Sequence, residues 1–399
     1  MNAAYGGEAR RVSLEHPVVS IVIPCLNEVR TLPSVVEKCL QALKMLDVPG
    51  EILVADNGSA DGSQELARSL GARVVSIAVR GYGAALKHGC DAALGKYLVI
   101  GDADDSYDFR EAVPMVRKLQ DGYDFCTGTR IKGRIEPGAM PWKNRHIGTP
   151  ALTLALNTIF ASRFSDVNCG MRALTKDAFT RMHLESKGME FASEMLVKAA
   201  VLRLRTTELP VTLRKDGRGR EPHLRPWRDG WRHLKFMLLF APTFVYWVPG
   251  VTMLTVGLVM ASLLLSTPGG VPFHIGSARI NDHWIVPAAL LLVIGYQTIV
   301  TGVLVHIYTI IHRVYHRSAF IEKLMNALTI ERILALAVIL ILSGGLLEAS
   351  VVNAWIGGDF GPLNAIRPAV LGMALILMGT QTMFSGFFYA VLIERYRFA

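Results

Sequence analysis

Four long apolar stretches in the carboxyl-terminal half constrain the fold more than any other feature of the 399-residue sequence. Residues 241–265, 284–312 and 369–393 contain no Asp, Glu, Lys or Arg, and residues 333–355 contain only Glu348. Each stretch exceeds the roughly 20 residues that a helix needs to cross a bilayer. The sequence, which is 51% hydrophobic, therefore predicts four transmembrane helices.

The loops between these stretches predict how the helices are oriented, because short cytoplasmic loops collect Lys and Arg. Residues 313–332 contain four Lys or Arg and the last six residues contain two more, whereas residues 266–283 contain only Arg279 and residues 356–365 contain none. The first sixteen residues lack the basic-then-apolar order of a signal peptide. We therefore expect an integral protein of the plasma membrane whose amino-terminal domain and both termini are cytosolic.

A basic segment precedes the first apolar stretch. Between Arg214 and Lys235 the sequence contains eight Lys or Arg and three Asp or Glu, together with Trp227 and Trp231. Cations attract anionic headgroups and Trp is typical of the membrane interface, so the segment predicts an interfacial amphipathic helix over residues 227–240. Contact with the lipid bilayer explains the formal net charge of +9, and we expect no nucleic-acid partner.

The amino-terminal half alternates strand-like apolar runs with helical stretches. Residues 18–24 form a β-branched run typical of a buried parallel strand, and similar runs occupy residues 51–56, 73–79 and 97–100. Stretches with helical spacing of apolar residues separate these runs. This order predicts an α/β domain with a mostly parallel sheet and helices on both faces, whose ligand crevice lies at the carboxyl ends of the strands.

An acidic cluster directly follows the fourth run. Four carboxylates lie within residues 102–108, after the apolar residues Tyr97–Ile100. Clustered carboxylates at the end of a buried strand suit a hard divalent ion and a nucleotide sugar, whereas a solvated acidic turn is the alternative interpretation. Gly81-Tyr82-Gly83 half matches a dinucleotide loop, but the third glycine is missing and NAD binding is not expected.

Motifs along the chain resemble those of the family 2 glycosyltransferases of GT-A fold. They are Val19–Glu28 (VSIVIPCLNE), Val54–Gly62 (VADNGSADG) and Asp102–Asp104 (DAD). Later motifs resemble the branch that glycosylates polyprenyl phosphates, as dolichyl-phosphate mannose and glucose synthases do. They are Thr127–Arg130 (TGTR), Pro141–Arg145 (PWKNR) and Asn168–Arg172 (NCGMR). The resemblance covers about residues 18–240. It implies a Rossmann-like GT-A cytosolic domain over residues 1–226. The basic segment and the apolar stretches place the interfacial helix and a four-helix transmembrane domain over residues 241–399 after it.

The resemblance also implies how the donor is bound. Mg²⁺ or Mn²⁺ would offset the negative charge of the donor diphosphate, with Asp104 on the metal and Asp102 near the metal or the ribose. Ser106 departs from the family pattern, because dolichyl-phosphate mannose synthases have a glutamine there that is a metal ligand. Asn57 departs as well, because many relatives have an aspartate at that position.

Strand ends supply the other donor residues in this interpretation. Asn27, Glu28 and Asp56 follow the first two strand-like runs, where the resemblance places contacts with the base and ribose, and loop capping is the alternative. Pro24 shapes the loop through its fixed φ angle. Together with Asp102, these residues form the predicted nucleotide-sugar site.

Arginines are the predicted ligands of the acceptor phosphate, because a planar guanidinium can contact two of its oxygens. The resemblance makes Arg130 and Arg145 the leading candidates and Arg172 a third, with a surface or structural role as the alternative for each. Glu194, in a predicted helix over residues 191–202, is a further candidate for facing the sugar or orienting an arginine, and a solvated side chain is its alternative. Glycines in the basic segment permit a loop that closes over the site. This loop carries Arg218, Arg220, His223 and Arg225.

Together with the membrane helices, the resemblance implies an inverting transfer of one hexose from a donor of the UDP-glucose or GDP-mannose type to a polyprenyl or dolichyl phosphate at the cytosolic leaflet. A processive polysaccharide synthase is the nearer alternative, although the sequence has no Gln-x-x-Arg-Trp motif. A membrane transporter or scaffold subunit with a non-catalytic nucleotide-binding domain is the alternative from another class. The resemblance is also compatible with a homo-oligomer.

Overall fold

A seven-stranded sheet forms the centre of the amino-terminal unit in a computed structural model of the chain. The structure describes residues 17–217, 226–267, 273–275, 278–311, 323, 327–361 and 365–397. The chain divides into two compact units, Met1–Leu239 and Phe240–Ala399. The strands of the sheet are β1 (Val19–Cys25), β2 (Gly50–Asp56), β3 (Arg73–Ser76), β4 (Tyr97–Ile100), β5 (Phe125–Ile135), β6 (Arg172–Thr175) and β7 (Thr206–Leu213).

The strand order is β3-β2-β1-β4-β6-β5-β7. The first four strands in this order are mutually parallel, β6 runs antiparallel to both β4 and β5, and β7 is parallel to β5. The predicted α/β class with a mostly parallel sheet is confirmed. Because β1, β2 and β4 are parallel neighbours, their carboxyl ends lie side by side at one edge of the sheet.

Helices cover both faces of this sheet, as the sequence predicts. The helices of this unit are α1 (Leu32–Leu46), α2 (Ser63–Ser69), α3 (Tyr82–Ala92), α4 (Val113–Gln120), α5 (Thr149–Phe160), α6 (Lys176–Met182), α7 (Phe191–Val201) and α8 (Pro226–Leu239), of which α8 packs on α5 and α7. On one face Ile21 and Ile23 share a buried cluster with Leu32 of α1. On the other face α3 approaches closely at Gly89, where a Cβ atom would lie 2.7 Å from Val22 Cγ1.

The carboxyl-terminal unit contains four helices that are long and apolar enough to cross a membrane, within the part of the chain that the structure describes. The candidate spans are Thr243–Leu265, Asp282–Ile310, Ile330–Gly357 and Ile366–Glu394. Their main helices are α9 (Val248–Leu265), α10 (Ile285–Ile311), α11 (Ile330–Gly357) and α12 (Ile366–Arg397). The prediction of four apolar helices is confirmed. A short hairpin of β8 (Phe273–Ile275) and β9 (Ala278–Ile280) lies between α9 and α10.

Small residues allow close packing of α11 on α12. A Cβ atom on Gly344 would lie 2.6 Å from the carbonyl oxygen of Gly372, and one on Gly379 would lie 2.8 Å from that of Ala337. Glycine lets helix backbones approach in this way within a membrane. Gly344 and Gly379 therefore lie at close contacts between the two helices, whereas Gly345 faces open space.

A polar cluster at one end of the helices was not predicted. Arg367, at the start of α12, pairs with Asp282 across 2.6 Å and donates to the carbonyl oxygens of Leu264 and Thr267. Arg367 therefore links the start of α12 to the carboxyl end of α9 and to Asp282.

Candidate active site

Two cavities meet at the carboxyl edge of the sheet. The strand-end cavity has a volume of about 390 Å³, and Pro24, Glu28 and Asn57 line it. The helix-walled cavity has a volume of about 350 Å³. Both cavities are lined by Tyr82, Asp102, Asp104, Met189 and Asp216. The carboxylate pair that the sequence singles out therefore lies where the two cavities join.

The helix-walled cavity is lined by both polar and apolar residues. Its polar residues include Ser106, Tyr107, Arg130, Asn168 and Arg214. Its apolar residues include Ala139, Met140, Pro141, Leu152, Ala192 and Leu213. Leu152 belongs to α5, while Gly230 and His233 of α8 also line the cavity. The cavity thus extends from the carboxylate pair to two helices that precede the membrane unit.

Asp102 is held between a phenol and a glycine. Tyr82 donates from its hydroxyl to Asp102 Oδ1 across 3.0 Å. A Cβ atom on Gly170 would overlap Asp102 Oδ2, and the Gly170 amide donates to the Tyr107 hydroxyl across 3.1 Å. Burial raises the pKa of both tyrosines well above the ordinary value, which keeps the Tyr82 phenol protonated as a donor. This contact limits the orientation of the Asp102 carboxylate.

Asp104 has a partner within its own turn. Ser106 donates to Asp104 Oδ1 from its hydroxyl across 2.6 Å and from its backbone amide across 3.0 Å. Ser106 is the position at which the sequence departs from the glutamine ligand of related synthases. In this structure the serine hydroxyl contacts and orients the predicted metal ligand.

The other two carboxylates of the cluster, Asp105 and Asp108, form ion pairs with neighbouring basic residues. Asp105, in a left-handed conformation with φ of 63°, pairs with Lys38 across 2.6 Å. Asp108 pairs with Arg110 and Arg214. Burial alone would raise the pKa of Asp108, but its contacts with the two arginines lower that pKa to about 2. The acidic cluster thus separates into Asp105 and Asp108, which stabilise the loop, and the pair that lines both cavities.

The carboxylate pair has the chemistry of a site for a hard divalent ion. Asp102 and Asp104 offer only oxygen ligands, which Mg²⁺ and Mn²⁺ prefer, and hydrogen bonds orient both groups. Among the residues that the structure describes, no group of three His, Cys, Asp or Glu side chains converges on one point. The resemblance makes Asp102 and Asp104 the metal ligands. Two carboxylates would suit an ion that takes its other oxygen ligands from the substrate.

The predicted base and ribose residues divide into two sets. Pro24 and Glu28 line the strand-end cavity. Asn27 is exposed and accepts from the Ala60 amide across 2.9 Å, so it holds the loop after β2. Asp56 is fully buried; its Oδ1 accepts from the amides of Gly58 and Ser59, and its Oδ2 has no hydrogen-bond partner among the residues that the structure describes. Neither Asn27 nor Asp56 lines the strand-end cavity.

Asn57 lines the strand-end cavity and was predicted only as a departure from the family pattern. Its Nδ2 donates to the carbonyl oxygens of Ile77 and Val79 at 3.2 and 2.8 Å, and its Oδ1 accepts from the Gly81 amide across 2.7 Å. These bonds redirect the chain after Ser76, which is why β3 ends earlier than the predicted residue 79. An aspartate cannot make the two donations.

The three predicted acceptor arginines have different surroundings. Arg130 lines the helix-walled cavity and makes a two-pronged pair with Asp166, with Nε and Nη2 donating across 2.7 and 2.8 Å. Arg145 is exposed in the helical turn Asn144–Gly148 and is not among the residues lining the cavity. Arg172 is buried and donates to the carbonyl oxygens of Val167, Cys169 and Ala192, so its guanidinium joins the segment before β6 to the first turn of α7.

Glu194 also makes structural contacts. It is buried, accepts from the amides of Glu185 and Ser186, and pairs with Lys198 across 3.1 Å. These bonds hold the loop before α7. Glu194 does not line either of the two cavities.

The segment after β7 brings further residues to the site. The Gly217 amide donates to the Asp104 carbonyl oxygen across 2.9 Å, and the Arg214 amide donates to the Ser106 carbonyl oxygen across 2.9 Å. Asp216 and Arg214 line the helix-walled cavity, and the sequence offered no motif that singled them out. The predicted closing loop with Arg218, Arg220, His223 and Arg225 lies outside the described residues.

Membrane glycosyltransferases of GT-A fold are the class to which this sheet, its carboxylate pair and the four apolar helices point. A family model described as glycosyl transferase family 2 matches residues 20–182. A second model, the glycosyltransferase family 2 C-terminal transmembrane region, matches residues 303–393. The chain belongs to glycosyltransferase family 2, and the similarity of a full-length relative supports this membership.

That relative is the low-salt glycan biosynthesis hexosyltransferase Agl6 of Haloferax volcanii. It is 31% identical over 376 residues, which cover 93% of this chain and 88% of Agl6. Glycosyltransferase AglJ of the same organism is 33% identical over 213 residues, covering 53% of this chain and 68% of AglJ. A solved structure of Mycobacterium tuberculosis glucosyl-3-phosphoglycerate synthase with Mn²⁺, UDP-glucose and phosphoglyceric acid has a TM-score of 0.44 and 23% identity, covering 56% of this chain and 79% of the synthase.

Proposed function

We propose that this family 2 glycosyltransferase moves a single hexose from a nucleotide sugar to a polyprenyl phosphate at the cytosolic leaflet of the plasma membrane. The observation that carries the proposal is the helix-walled cavity, which joins the carboxylate pair to apolar walls on α5 and to α8. A phosphate against the polar lining residues and a prenyl chain against the apolar ones would match this mixed lining.

The donor would occupy the strand-end cavity. Its diphosphate would lie near Asp102 and Asp104, where bound Mg²⁺ or Mn²⁺ would offset the charge of the leaving group. Hydrogen bonds from Tyr82 and Ser106 would hold the two carboxylates for this task. Pro24, Glu28 and Asn57 line the part of the cavity that is left for the sugar nucleotide.

The acceptor phosphate would enter from the helix-walled cavity. Arg130 uses Nε and Nη2 for Asp166, which leaves Nη1 as its donor toward a phosphate oxygen. Arg145, on the turn next to the lining residues Asn144 and Gly148, is the second proposed phosphate ligand. Arg172 and Glu194 have no part in this proposal, because their contacts are with the backbone and Lys198.

A single displacement would accomplish the transfer. An oxygen of the lipid phosphate forms a bond to the anomeric carbon while the bond from that carbon to the diphosphate breaks, and the nucleoside diphosphate leaves with the electron pair. A phosphate is already anionic near neutral pH, so the reaction needs no general base. Alignment and charge compensation would supply the rate enhancement, and one displacement inverts the anomeric centre.

The experiment is a transfer assay on the full-length protein with Mg²⁺ or Mn²⁺, a panel of labelled nucleotide sugars and a polyprenyl phosphate. The expected product is one monosaccharide phospholipid with inverted anomeric configuration. Formation of a long glycan would favour a processive synthase instead. Absence of metal-dependent turnover with every donor would contradict the proposal.

A further inference from the structure

A further depression on the amino-terminal unit shares Arg80 and Gly81 with the strand-end cavity but does not include the carboxylate pair. Its volume is about 430 Å³, and four cationic side chains line it: Arg80, Lys187, Arg232 and Lys235. Phe236 and Leu239 add apolar surface to it. We call this depression the basic groove. Glu190 is the one carboxylate among its lining residues, so the groove carries a net positive charge.

The contribution of α8 to the basic groove follows helical spacing. Arg232, Lys235, Phe236 and Leu239 stand at positions i, i+3, i+4 and i+7, which fall on one face of a helix. His233 and Met237 fall on another face and are buried. His233 Nδ1 lies 2.7 Å from the hydroxyl of the buried residue Ser193 in α7, which fixes the rotation of α8. The groove face is therefore set by packing and is not an accident of side-chain rotation.

Charge and apolar surface are ordered along this face. The cations Arg232 and Lys235 come first along α8, and Leu239 ends it. In the sequence only residues 240–242 separate Leu239 from the candidate span Thr243–Leu265. The apolar end of the face is thus the end that is nearer in sequence to the membrane unit. A cationic zone followed by an apolar zone matches an amphiphile with a charged headgroup.

The remaining cations come from two other segments, so the groove is more than the charged side of one helix. Arg80 precedes α3, and Lys187 lies in the loop before α7. Backbone contact holds these segments together: the Ala84 amide donates to the Lys187 carbonyl oxygen across 3.2 Å, and a Cβ atom on Gly81 would overlap that same oxygen. Three segments of the chain therefore converge on one positively charged depression.

We infer that the basic groove binds the phosphate headgroup of an anionic phospholipid of the surrounding bilayer, with Phe236 and Leu239 against its acyl region. This lipid is distinct from the sugar acceptor, because the groove lies on a different face of α8 from His233, which lines the helix-walled cavity. Cations near a membrane surface attract anionic headgroups, and apolar neighbours select a lipid over a soluble anion.

The test is photolabelling of the full-length protein in phosphatidylcholine vesicles. One set of vesicles contains a phosphatidylglycerol with a photoactivatable headgroup, and the other contains the corresponding phosphatidylcholine. Labelled peptides are then mapped by mass spectrometry. We expect the phosphatidylglycerol probe, and not the phosphatidylcholine probe, to label the peptides containing Lys187 and residues 226–239.

Single substitutions locate the headgroup. Arg232→Gln and Lys187→Gln should each reduce labelling about five-fold, as expected for the loss of one cation near a membrane surface. Arg228→Gln is the matched control, since Arg228 is an exposed cation one turn earlier on α8 that does not line the groove. Lys187 lies on a different segment, so its variant keeps the test decisive if Arg232→Gln fails to fold.

Three results would overturn the inference. They are equal labelling by both probes, labelling that the two groove variants leave unchanged, and labelling abolished by inorganic phosphate or a nucleoside diphosphate at matched ionic strength. The last result would assign the groove to a soluble anion. Because photolabelling requires no sugar transfer, its outcome is independent of the proposed transferase reaction.

Discussion

The hydroxyl of Tyr82 donates to Asp102 Oδ1 across 3.0 Å and so joins the first turn of α3 to the loop after β4. The backbone at Gly170 closes the opposite side of the carboxylate. Tyr82 lines both cavities, so the bond lies where donor and acceptor would meet. In this account Tyr82 is a positioning residue that acts through Asp102.

Tyr82→Phe should therefore lower kcat about 10- to 100-fold, the effect of losing a hydrogen bond to a charged group. The apparent affinity for Mn²⁺ should fall as well, and titration of Mn²⁺ in the transfer assay measures both effects. Tyr97→Phe is the control, because Tyr97 is a buried tyrosine at the opposite end of β4. Equal kcat values for Tyr82→Phe and the unmodified protein would remove the assigned role.

Asn57→Asp should destabilise the protein by about 1–3 kcal/mol, because it loses two donations and places a carboxylate against the carbonyl oxygens of Ile77 and Val79. Asn27→Asp is a matched control. The bond from the Ala60 amide uses only the side-chain oxygen of Asn27, which an aspartate retains. The thermal unfolding midpoint of each purified variant measures the difference. Equal midpoints for the two variants would contradict this explanation of the asparagine.

Asp166→Asn should be severely destabilising, by about 3–5 kcal/mol, because it leaves the buried Arg130 guanidinium without its charged partner. Replacing both residues, as Arg130→Met with Asp166→Leu, should recover most of the unfolding midpoint, since a buried ion pair can often be exchanged for apolar packing. The double variant should still fail to use lipid phosphate. Full transfer activity in the double variant would show that Arg130 acts only in folding.

Arg145→Ala should raise the KM for polyprenyl phosphate about 10-fold or more, the effect of losing a charge-assisted hydrogen bond, while nucleotide binding stays unchanged. Arg117→Ala, which removes an exposed arginine of α4, serves as the control. Steady-state kinetics for the acceptor and equilibrium binding of the nucleoside diphosphate separate the two effects. An equal loss of both would exclude a specific role in acceptor binding.

The sequence predicted the strands and the position of the carboxylate pair because those features depend on local patterns. Hydrophobic runs mark β1 and β4, and strand order brings their ends together. The resemblance singled out Asp102 and Asp104, but no local pattern predicted that Asp105 and Asp108 form ion pairs instead of lining the cavities. That distinction depends on a left-handed turn at Asp105 and on partners such as Lys38, which lies 67 residues away.

Roles of the buried charged residues were equally hard to predict. Arg130 and Asp166 are 36 residues apart, and no short motif links them. Arg172 and Glu194 carry charges typical of a phosphate or sugar site, but their side chains satisfy backbone groups. Sequence patterns indicate which residue types a segment contains, whereas the direction of a buried side chain depends on packing between distant segments.

The most direct test compares the unmodified protein with Asp104→Asn in the transfer assay with Mn²⁺, labelled nucleotide sugar and polyprenyl phosphate. Asp104→Asn keeps a similar shape but removes the negative charge that a divalent ion requires. The account predicts a single monosaccharide phospholipid from the unmodified protein and loss of that product, with intact folding, from the variant. Unchanged product formation by a folded Asp104→Asn variant would contradict it.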